Sequence, residues 1–189
     1  MTKKELRVLY KSRRKQVDPH QAEKLNDLIL IQFQKIKLPF IGCVHTYLAS
    51  LRLNEPDTSS IIRYLHFREP QLKVAVPRID LSTNDMHHIH IDDNVNLLTN
   101  NYGIDEPETG DHVEINEIGL VLVPLLAFDA AGFRVGYGKG FYDRFLKKCR
   151  PDTIKVGISF FDEPQEIDDI DVFDVPLDYC ATPSRLFTF

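Results

Sequence analysis

The stretch Gly119–Asp129, with the sequence GLVLVPLLAFD, is the most apolar run of the chain. A continuous apolar segment is typical of a central strand in a parallel sheet, because both faces of such a sheet are covered by helices. Arg134–Arg144, with the sequence RVGYGKGFYDR, follows it, and three glycines alternate there with other residues. The order of strand, glycine turn and amphipathic segment indicates an α/β fold.

Further strands and helices alternate on either side of this stretch. Apolar, β-rich segments predict strands at 41–48, 72–76 and 154–160, and 86–91 is another candidate strand. Helix starts are predicted at Thr2 with Glu5 in capping-box spacing, at Asp18–Pro19 with an end near Ile36, at Asp57–Thr58, and at Phe141 with an end before Pro151. This alternation predicts a single domain over residues 1–189, built on an open, mostly parallel sheet with helices on both faces.

Composition limits the class of protein. The 189 residues are 43% apolar and 27% charged, which is typical of one soluble globular domain. No apolar run approaches the roughly 18 residues of a membrane helix, so we expect no membrane association. The three cysteines lack paired spacing, and Glu5 and Asp18 flank the basic N-terminal stretch, unlike a transit peptide. We expect a cytoplasmic monomer.

Charge is distributed unevenly along the chain. Residues 1–15 contain seven Lys or Arg residues and only Glu5 as an acid, whereas the whole chain has a net charge of −5. An acidic body argues against nucleic-acid binding and favours a small polyanion as partner. Lys3, Arg7, Lys11 and Arg14 recur at helical spacing, and this row is either a solvated basic face or part of an anion site.

The glycine turn of residues 136–140 has the features of an anion site. Glycines let the backbone approach a ligand closely, and a helix starting at Phe141 would direct its free amide groups and positive dipole end at the turn. The P-loop pattern fails here because Phe133 and Gly140 replace the required glycine and hydroxyl residue, and the dinucleotide pattern fails at Phe141. A phosphate is the expected ligand, with a merely flexible turn as the alternative.

Carboxylates close to this turn indicate a cation. Asp143 would repel a phosphate unless Mg²⁺ lay between them, and the acidic tail could supply a second carboxylate. Glu55 follows a predicted strand end, where ligands bind in open α/β sheets, although an exposed loop carboxylate is the simpler interpretation. His87, His88 and His90 lack zinc-site spacing, so we do not expect a metal there. Residues 92–117 form an acidic surface excursion, and such long loops are often functional.

The segment 122–145, with the sequence LVPLLAFDAAGFRVGYGKGFYDRF, resembles the signature of the 5-formyltetrahydrofolate cyclo-ligase family, also called methenyltetrahydrofolate synthetases. Three more segments are similar to that family: 3–7 to its N-terminal nucleotide segment, 47–58 to its folate loop and 173–178 to its C-terminal acidic motif. The resemblance therefore covers nearly the whole chain.

The resemblance implies a set of site residues. Arg134 and Lys139 would be catalytic, and Asp143 and Asp174 would hold Mg²⁺. The implied ATP contacts are Lys3, Lys4, Glu5, Leu6, Arg7, Arg134, Val135, Gly136, Tyr137, Gly138, Lys139, Gly140, Phe141 and Tyr142. The implied folate contacts are Leu48, Glu55, Tyr137, Gly138, Lys139, Gly140 and Phe141.

The implied reaction is the ATP- and Mg²⁺-dependent closure of 5-formyltetrahydrofolate to 5,10-methenyltetrahydrofolate, with ADP and phosphate as products, through a phosphorylated formyl group. Such chemistry needs positioning and charge neutralisation more than a protein nucleophile. Two alternatives stay open: another ATP- or phosphate-ligand α/β enzyme that shares the glycine turn, and a non-catalytic nucleotide- or folate-binding protein.

Overall fold

The computed structural model describes residues 1–80, 82–83, 85–92, 95–99 and 105–189. The helices are α1 (Lys3–Lys15), α2 (Pro19–Phe33), α3 (Ser59–Arg68) and α4 (Phe141–Lys148), with short 3₁₀ turns at Leu51–Leu53 and Ile115–Glu117. The strands are β1 (Cys43–His45), β2 (Lys73–Asp80), β3 (Asp85–His90), β4 (Leu97–Thr99), β5 (Asp105–Pro107), β6 (Leu120–Pro124), β7 (Ala127–Phe128), β8 (Arg134–Val135), β9 (Ile154–Ile158), β10 (Tyr179–Ala181) and β11 (Leu186–Thr188).

Seven strands form the main sheet in the order β11-β10-β9-β6-β1-β2-β3. The five inner strands are parallel, and the edge strands β3 and β11 are antiparallel to their neighbours. The mostly parallel sheet predicted from the sequence is thus confirmed. From β1 the chain continues to β2 on one side, and from β6 it continues to β9 on the other, so the strand order reverses between β1 and β6.

Residue alternation along the strands produces two cores. Leu120 and Leu122 point to the face covered by α2 and α3, whereas Val121 and Val123 point to the face covered by α4. The helices contribute buried side chains to each side, such as Phe33 of α2 to the first core and Phe145 of α4 to the second. Because successive side chains of a strand point to opposite faces, a run without polar residues needs helices on both sides.

Three predicted strands are shorter than expected, and the smallest difference is in β9, which ends at Ile158 and not at residue 160. The run 119–129 was predicted as one strand, but β6 ends at Pro124 and the chain then enters a separate two-stranded ribbon, β7 with β8. Proline cannot donate to a ladder, and the Asp129 carboxylate accepts hydrogen bonds from the Ala131 and Phe133 amides at 2.9 and 2.8 Å, which closes a turn. In the segment 41–48 only Cys43–His45 is a strand.

Helix starts follow the predicted caps closely. Thr2 and Glu5 form the capping box of α1, and the Asp18 side chain accepts from the Gln21 amide at the start of α2. The second helix ends at Phe33, three residues before the predicted Ile36, where the chain tightens into turns. The caps were predictable because they depend on hydrogen bonds within four residues.

The described residues of the excursion 92–117 include some that pack against the main sheet. Its strands β4 and β5 form a small ribbon, and Asp111 and Val113 exchange backbone hydrogen bonds with His90 and His88 of β3. Residues 93–94 and 100–104 of this segment lie outside the described part of the chain. The tail strands β10 and β11 were not predicted, because each has only three residues.

Candidate functional site

Two loops leave the sheet side by side at the point where the strand order reverses. Residues 46–58 follow β1, and residues 125–140 follow β6, its parallel neighbour. In open α/β sheets, ligands bind at the carboxyl ends of the strands at this reversal. The glycine turn and the loop carrying Glu55 therefore meet because of strand order, although they are some 80 residues apart in sequence.

A cavity of about 910 Å³ opens between these loops, α1 and the acidic tail. Its size is near the upper end of the range of roughly 300–1,000 Å³ for small-molecule sites. The described residues that line it are Lys3, Arg7, Lys11, Tyr47, Leu48, Arg52, Leu53, Glu55, Pro77, Ile79, Met86, Asp105, Glu106, Pro124, Arg134, Gly136 to Arg144, Lys147, Asp171, Phe173 and Asp174.

The basic row of α1 faces this cavity. Lys3, Arg7 and Lys11 line it, and Arg14, one turn further, is buried beneath it with 2% of its surface exposed. Arg7 Nε donates a hydrogen bond of 2.9 Å to the Gly136 carbonyl, which fixes the helix against the glycine turn. Lys3, Arg7 and Lys11 are therefore part of the cavity wall, although Lys11 is also exposed to solvent. The alternative of a solvated face is wrong for Arg14, which is buried.

The glycine turn uses backbone angles that other residues rarely adopt. Gly138 has φ of 92°, and Gly140, the residue that caps α4, has φ of 69°. A Cβ on Gly138 would lie 3.1 Å from the Arg7 Cζ atom, so a side chain there would also crowd α1. Both glycines are thus needed for the turn itself, and Gly138 is also needed for the close approach of Arg7.

Two acid–base pairs lie among the residues that line the cavity: one joins β8 to α4, and the other joins α1 to the acidic tail. Arg134, buried at 6% exposure, donates to Asp143 Oδ1 at 2.8 Å and to the Val175 carbonyl at 2.5 Å. Lys3 Nζ forms an ion pair with Asp174 Oδ2. Burial lowers the pKa of the Arg134 guanidinium, and the charge of Asp143 opposes this shift. Arg134 remains positively charged, since arginine is not deprotonated in proteins.

The two carboxylates fit a hard divalent cation. Each has one oxygen, Oδ2 of Asp143 and Oδ1 of Asp174, that accepts no hydrogen bond within the described part of the chain. Among those residues no cluster of three or more His, Cys, Asp or Glu side chains is placed to hold a metal. This donor set suits Mg²⁺, which is commonly bound through one or two carboxylates together with phosphate oxygens and water.

Glu55 is a buried carboxylate. Its side chain is 7% exposed, Oε2 accepts from the Ser50 amide at 2.9 Å, and Oε1 accepts from the Tyr137 hydroxyl at 2.5 Å. Tyr137 OH in turn accepts from Arg14 at 2.5 Å. The interpretation of Glu55 as an exposed loop carboxylate is therefore wrong.

Several polar atoms below α4 are buried without a hydrogen-bond partner among the described residues: the Tyr142 hydroxyl and both ring nitrogens of His45 and of His88. The two imidazole rings lie 5.0 Å apart between centroids, and Phe145 packs against both. Burial lowers the pKa of His45 well below its usual value and lowers that of His88 to about 4. Burial also raises the pKa of the Tyr142 phenol.

Some residues of the implied site lie outside the cavity lining. Lys4 is exposed, Glu5 is occupied in the capping box, and Leu6 and Val135 are fully buried in the small core under α1. Leu48, Glu55, Lys139, Tyr142 and the glycine turn line the cavity. Arg52, Glu106 and Phe173 also line it but were not predicted as site residues, although Arg52 and Phe173 lie in the segments 47–58 and 173–178 that resemble family motifs.

The fold and the cavity together define a class of protein: an α/β domain in which a glycine turn, the carboxylates of Asp143 and Asp174 and the buried Glu55 surround one cavity. Residues 1–183 match the model of the 5-formyltetrahydrofolate cyclo-ligase family. The chain belongs to that family, whose characterised members are ligases.

Named relatives agree with this assignment. The 5-formyltetrahydrofolate cyclo-ligase of Escherichia coli K12 is 25% identical over 95% of this chain and 99% of its own length. The mitochondrial 5-formyltetrahydrofolate cyclo-ligase of Arabidopsis thaliana is 31% identical over 73% of this chain, and the match spans 58% of that longer protein.

Solved structures show the same fold. A 5,10-methenyltetrahydrofolate synthetase from Mycoplasma pneumoniae superposes with a TM-score of 0.76 at 21% identity, over 97% of this chain and 100% of its own. The synthetase from Aquifex aeolicus gives a TM-score of 0.77 at 23% identity, over 100% of this chain and 93% of its own. No helix in the described part of the chain has the length and apolar character needed to cross a membrane.

Proposed function

We propose that this protein is a 5-formyltetrahydrofolate cyclo-ligase that uses ATP and Mg²⁺ to form 5,10-methenyltetrahydrofolate. One observation carries the proposal: a single cavity brings together the glycine turn, the basic row of α1 and the buried carboxylate of Glu55. A phosphate-only enzyme has no need for a buried carboxylate opposite its phosphate site. A folate enzyme that consumes ATP needs both a phosphate site and a carboxylate that binds the pterin.

The phosphates of ATP would lie against the glycine turn. Lys3, Arg7 and Lys139 surround this part of the cavity with positive charge. The positive end of α4, which begins at Phe141, adds to the same field. These groups stabilise charge that is present on the phosphates and that spreads over the transferring phosphoryl oxygens.

Glu55 would bind the pterin ring. The amino-pyrimidine edge of a pterin carries adjacent N–H donors, and a buried carboxylate is a matching acceptor for such an edge. Leu48 and Tyr47, which also line the cavity, provide apolar surface for the ring. Glu55 would therefore set the orientation of the folate, with its formyl group directed towards the glycine turn.

The reaction needs no protein nucleophile. The formyl oxygen attacks the γ-phosphorus, an O–P bond forms, and the bond to ADP breaks. The N10 nitrogen of the same folate then attacks the activated formyl carbon, loses its proton, and phosphate leaves with the former formyl oxygen. The product retains the positive charge of the 5,10-methenyl bridge. The protein contributes by holding the two substrates in line, which can account for much of the rate enhancement.

Mg²⁺, held by Asp143 and Asp174, would neutralise charge on the phosphates. Arg134 would stabilise the transferring phosphoryl group from the same side of the cavity, and its bond to Asp143 orients that carboxylate. The free thiols of Cys43, Cys149 and Cys180 agree with a reducing compartment, and we propose a cytoplasmic monomer.

A direct assay tests the proposal. Purified protein with 5-formyltetrahydrofolate, ATP and Mg²⁺ should generate the absorbance of the methenyl product, and no product from folded protein would refute the proposed activity. Glu55→Gln should raise the KM for the folate by about ten-fold or more while the KM for ATP changes less than about two-fold. Glu163→Gln is the matched control, since Glu163 is an exposed carboxylate outside the cavity lining.

A further inference from the structure

Arg14 is the buried member of the basic row of α1, and the family resemblance assigns it no role. It lies near the end of α1 with 2% of its surface exposed. Its NH1 group donates to the Tyr137 hydroxyl at 2.5 Å, and its NH2 group donates to the Leu125 carbonyl. Arg14 thus contacts the residue just beyond β6 and the middle of the glycine turn.

The hydrogen bonds around Tyr137 have a fixed direction. A guanidinium only donates, so the Tyr137 oxygen must accept from Arg14 and use its own proton for the Glu55 Oε1 atom. The chain of contacts therefore runs from Arg14 through Tyr137 to Glu55. Arg14 NH1 also lies 4.0 Å from Glu55 Oε1, so the positive charge attracts the carboxylate directly.

The same arginine is fixed to the loop of Glu55 through the backbone. The Asn54 side-chain amide donates to the Arg14 and Val17 carbonyls at 2.6 and 2.7 Å. Asn54 itself adopts a left-handed conformation, with φ of 48°, immediately before Glu55. The Arg14 side chain therefore contacts the Glu55 carboxylate through Tyr137, and the Arg14 backbone carbonyl holds Asn54, the residue before Glu55.

We propose that Arg14 is a positioning residue for folate recognition: through Tyr137 it holds the Glu55 carboxylate in the orientation that reads the amino-pyrimidine edge of the pterin. This inference rests on the proposed function. Arg14 does not itself line the cavity, so its effect reaches the substrate only through Tyr137 and Glu55.

The loss of Arg14 should affect the binding of the folate and not that of ATP. Without Arg14, the Tyr137 hydroxyl can rotate, so that its proton no longer has to point at Glu55. The buried Glu55 carboxylate also loses its neighbouring positive charge. The Lys3 and Lys139 groups of the phosphate side are untouched by this change. Folate binding and its dependence on the pterin 2-amino group should weaken, whereas ATP binding should not.

The test compares Arg14→Met with the wild type in the cyclo-ligase assay. We expect the KM for 5-formyltetrahydrofolate to rise about ten-fold or more, with less than about a two-fold change in the KM for ATP. Wild-type kcat/KM should also favour this substrate over its 2-desamino analogue, and Arg14→Met should lose most of that preference. Arg14→Lys, which retains the charge, should recover part of the folate affinity and part of the preference over the 2-desamino analogue.

Arg13→Met is the matched control. Arg13 is the adjacent arginine of α1, but its side chain packs over Phe161 and reaches Glu163, away from the cavity. Its replacement should leave the KM for the folate, the KM for ATP and the preference for 5-formyltetrahydrofolate over its 2-desamino analogue unchanged. If Arg14→Met does not fold, Tyr137→Phe breaks the same chain of contacts while keeping the arginine, and it should show the same loss of discrimination.

The outcomes separate the two proposals. A wild-type protein that makes no methenyl product would overturn the proposed function and this inference with it. If the wild type is active, either of two outcomes would overturn the positioning role alone. The Arg14 and Tyr137 variants could keep the full preference for 5-formyltetrahydrofolate over its 2-desamino analogue, or they could raise both KM values equally and lower the Tm. The second pattern is that of a purely structural arginine.

Discussion

The Arg134 guanidinium and the Asp143 carboxylate form a 2.8 Å ion pair between β8 and the first turn of α4. The arginine side chain is 4% exposed, and the carboxylate is 29% exposed towards the cavity. The pair joins the residue before the glycine turn to the helix after it. One carboxylate oxygen is thereby fixed, and the other accepts no hydrogen bond within the described part of the chain. We propose that this second oxygen binds Mg²⁺.

Asp143→Asn should weaken the magnesium dependence. The amide retains an acceptor for Arg134 but lacks the negative charge that a hard cation prefers. We expect the half-saturating Mg²⁺ concentration for turnover, and for ATP binding by calorimetry, to rise about ten-fold or more. Asp152→Asn is the control, because Asp152 is an exposed carboxylate paired with Arg150. An unaltered magnesium titration would count against Asp143 as a ligand.

Lys139→Ala should abolish most turnover without unfolding the protein. Lys139 is exposed on the glycine turn and lines the cavity, so its loss removes charge stabilisation where the phosphoryl group transfers. We expect kcat to fall by about 10²–10³, with a change in Tm of less than about 2 °C. Lys148→Ala, at an exposed lysine paired with Asp85, should leave kcat unchanged. Equal rates for Lys139→Ala and wild type would refute the phosphoryl role.

Gly138→Ala should destabilise the fold as well as the site. Alanine is strained at φ of 92°, and its Cβ would lie 3.1 Å from Arg7 Cζ. We expect the free energy of unfolding to fall by about 1–2 kcal/mol, as measured by denaturant titration. The comparison is Gly136→Ala, where an added Cβ meets nothing within 4 Å. Equal destabilisation by the two substitutions would contradict the backbone argument.

His88 should make the protein sensitive to acid. Burial lowers its folded-state pKa to about 4, with smaller contributions from His87, Lys148 and His112, while the unfolded value is 6.5. Because the unfolded chain binds the proton more readily, stability is full above pH 6.5 and is lost as the pH falls towards 4. The loss attributable to His88 is on the order of 3 kcal/mol.

The measurement is the free energy of unfolding at several pH values between 4 and 7. His88→Leu should reduce this pH dependence, since it removes two buried ring nitrogens that have no partner among the described residues. The part that is due to His45, whose pKa burial also lowers, should remain. His20→Leu, at an exposed histidine of α2, should leave the slope unchanged. A slope that is the same in His88→Leu and wild type would show that the acid sensitivity arises elsewhere.

Local sequence determined the helices and the turn. The Thr2–Glu5 capping box, the Asp18 cap and the start of α4 at Phe141 all lie where the sequence predicts them. The continuous apolar run at Leu120–Pro124 likewise predicted a strand buried on both faces. These features depend on interactions within a few residues or on side-chain alternation, and both are visible in sequence order.

Tertiary structure alone decided what Arg14 and Glu55 do. By spacing, Arg14 is one more cation in a basic row, and Glu55 is one more loop carboxylate. Only the packing of α1 against the loops that follow the adjacent strands β1 and β6 brings them to within 4.0 Å. The same long-range packing placed Lys3 against Asp174, 171 residues away. Sequence order contains the residue types of the site, but contacts between distant segments are set by strand pairing, which local patterns do not specify.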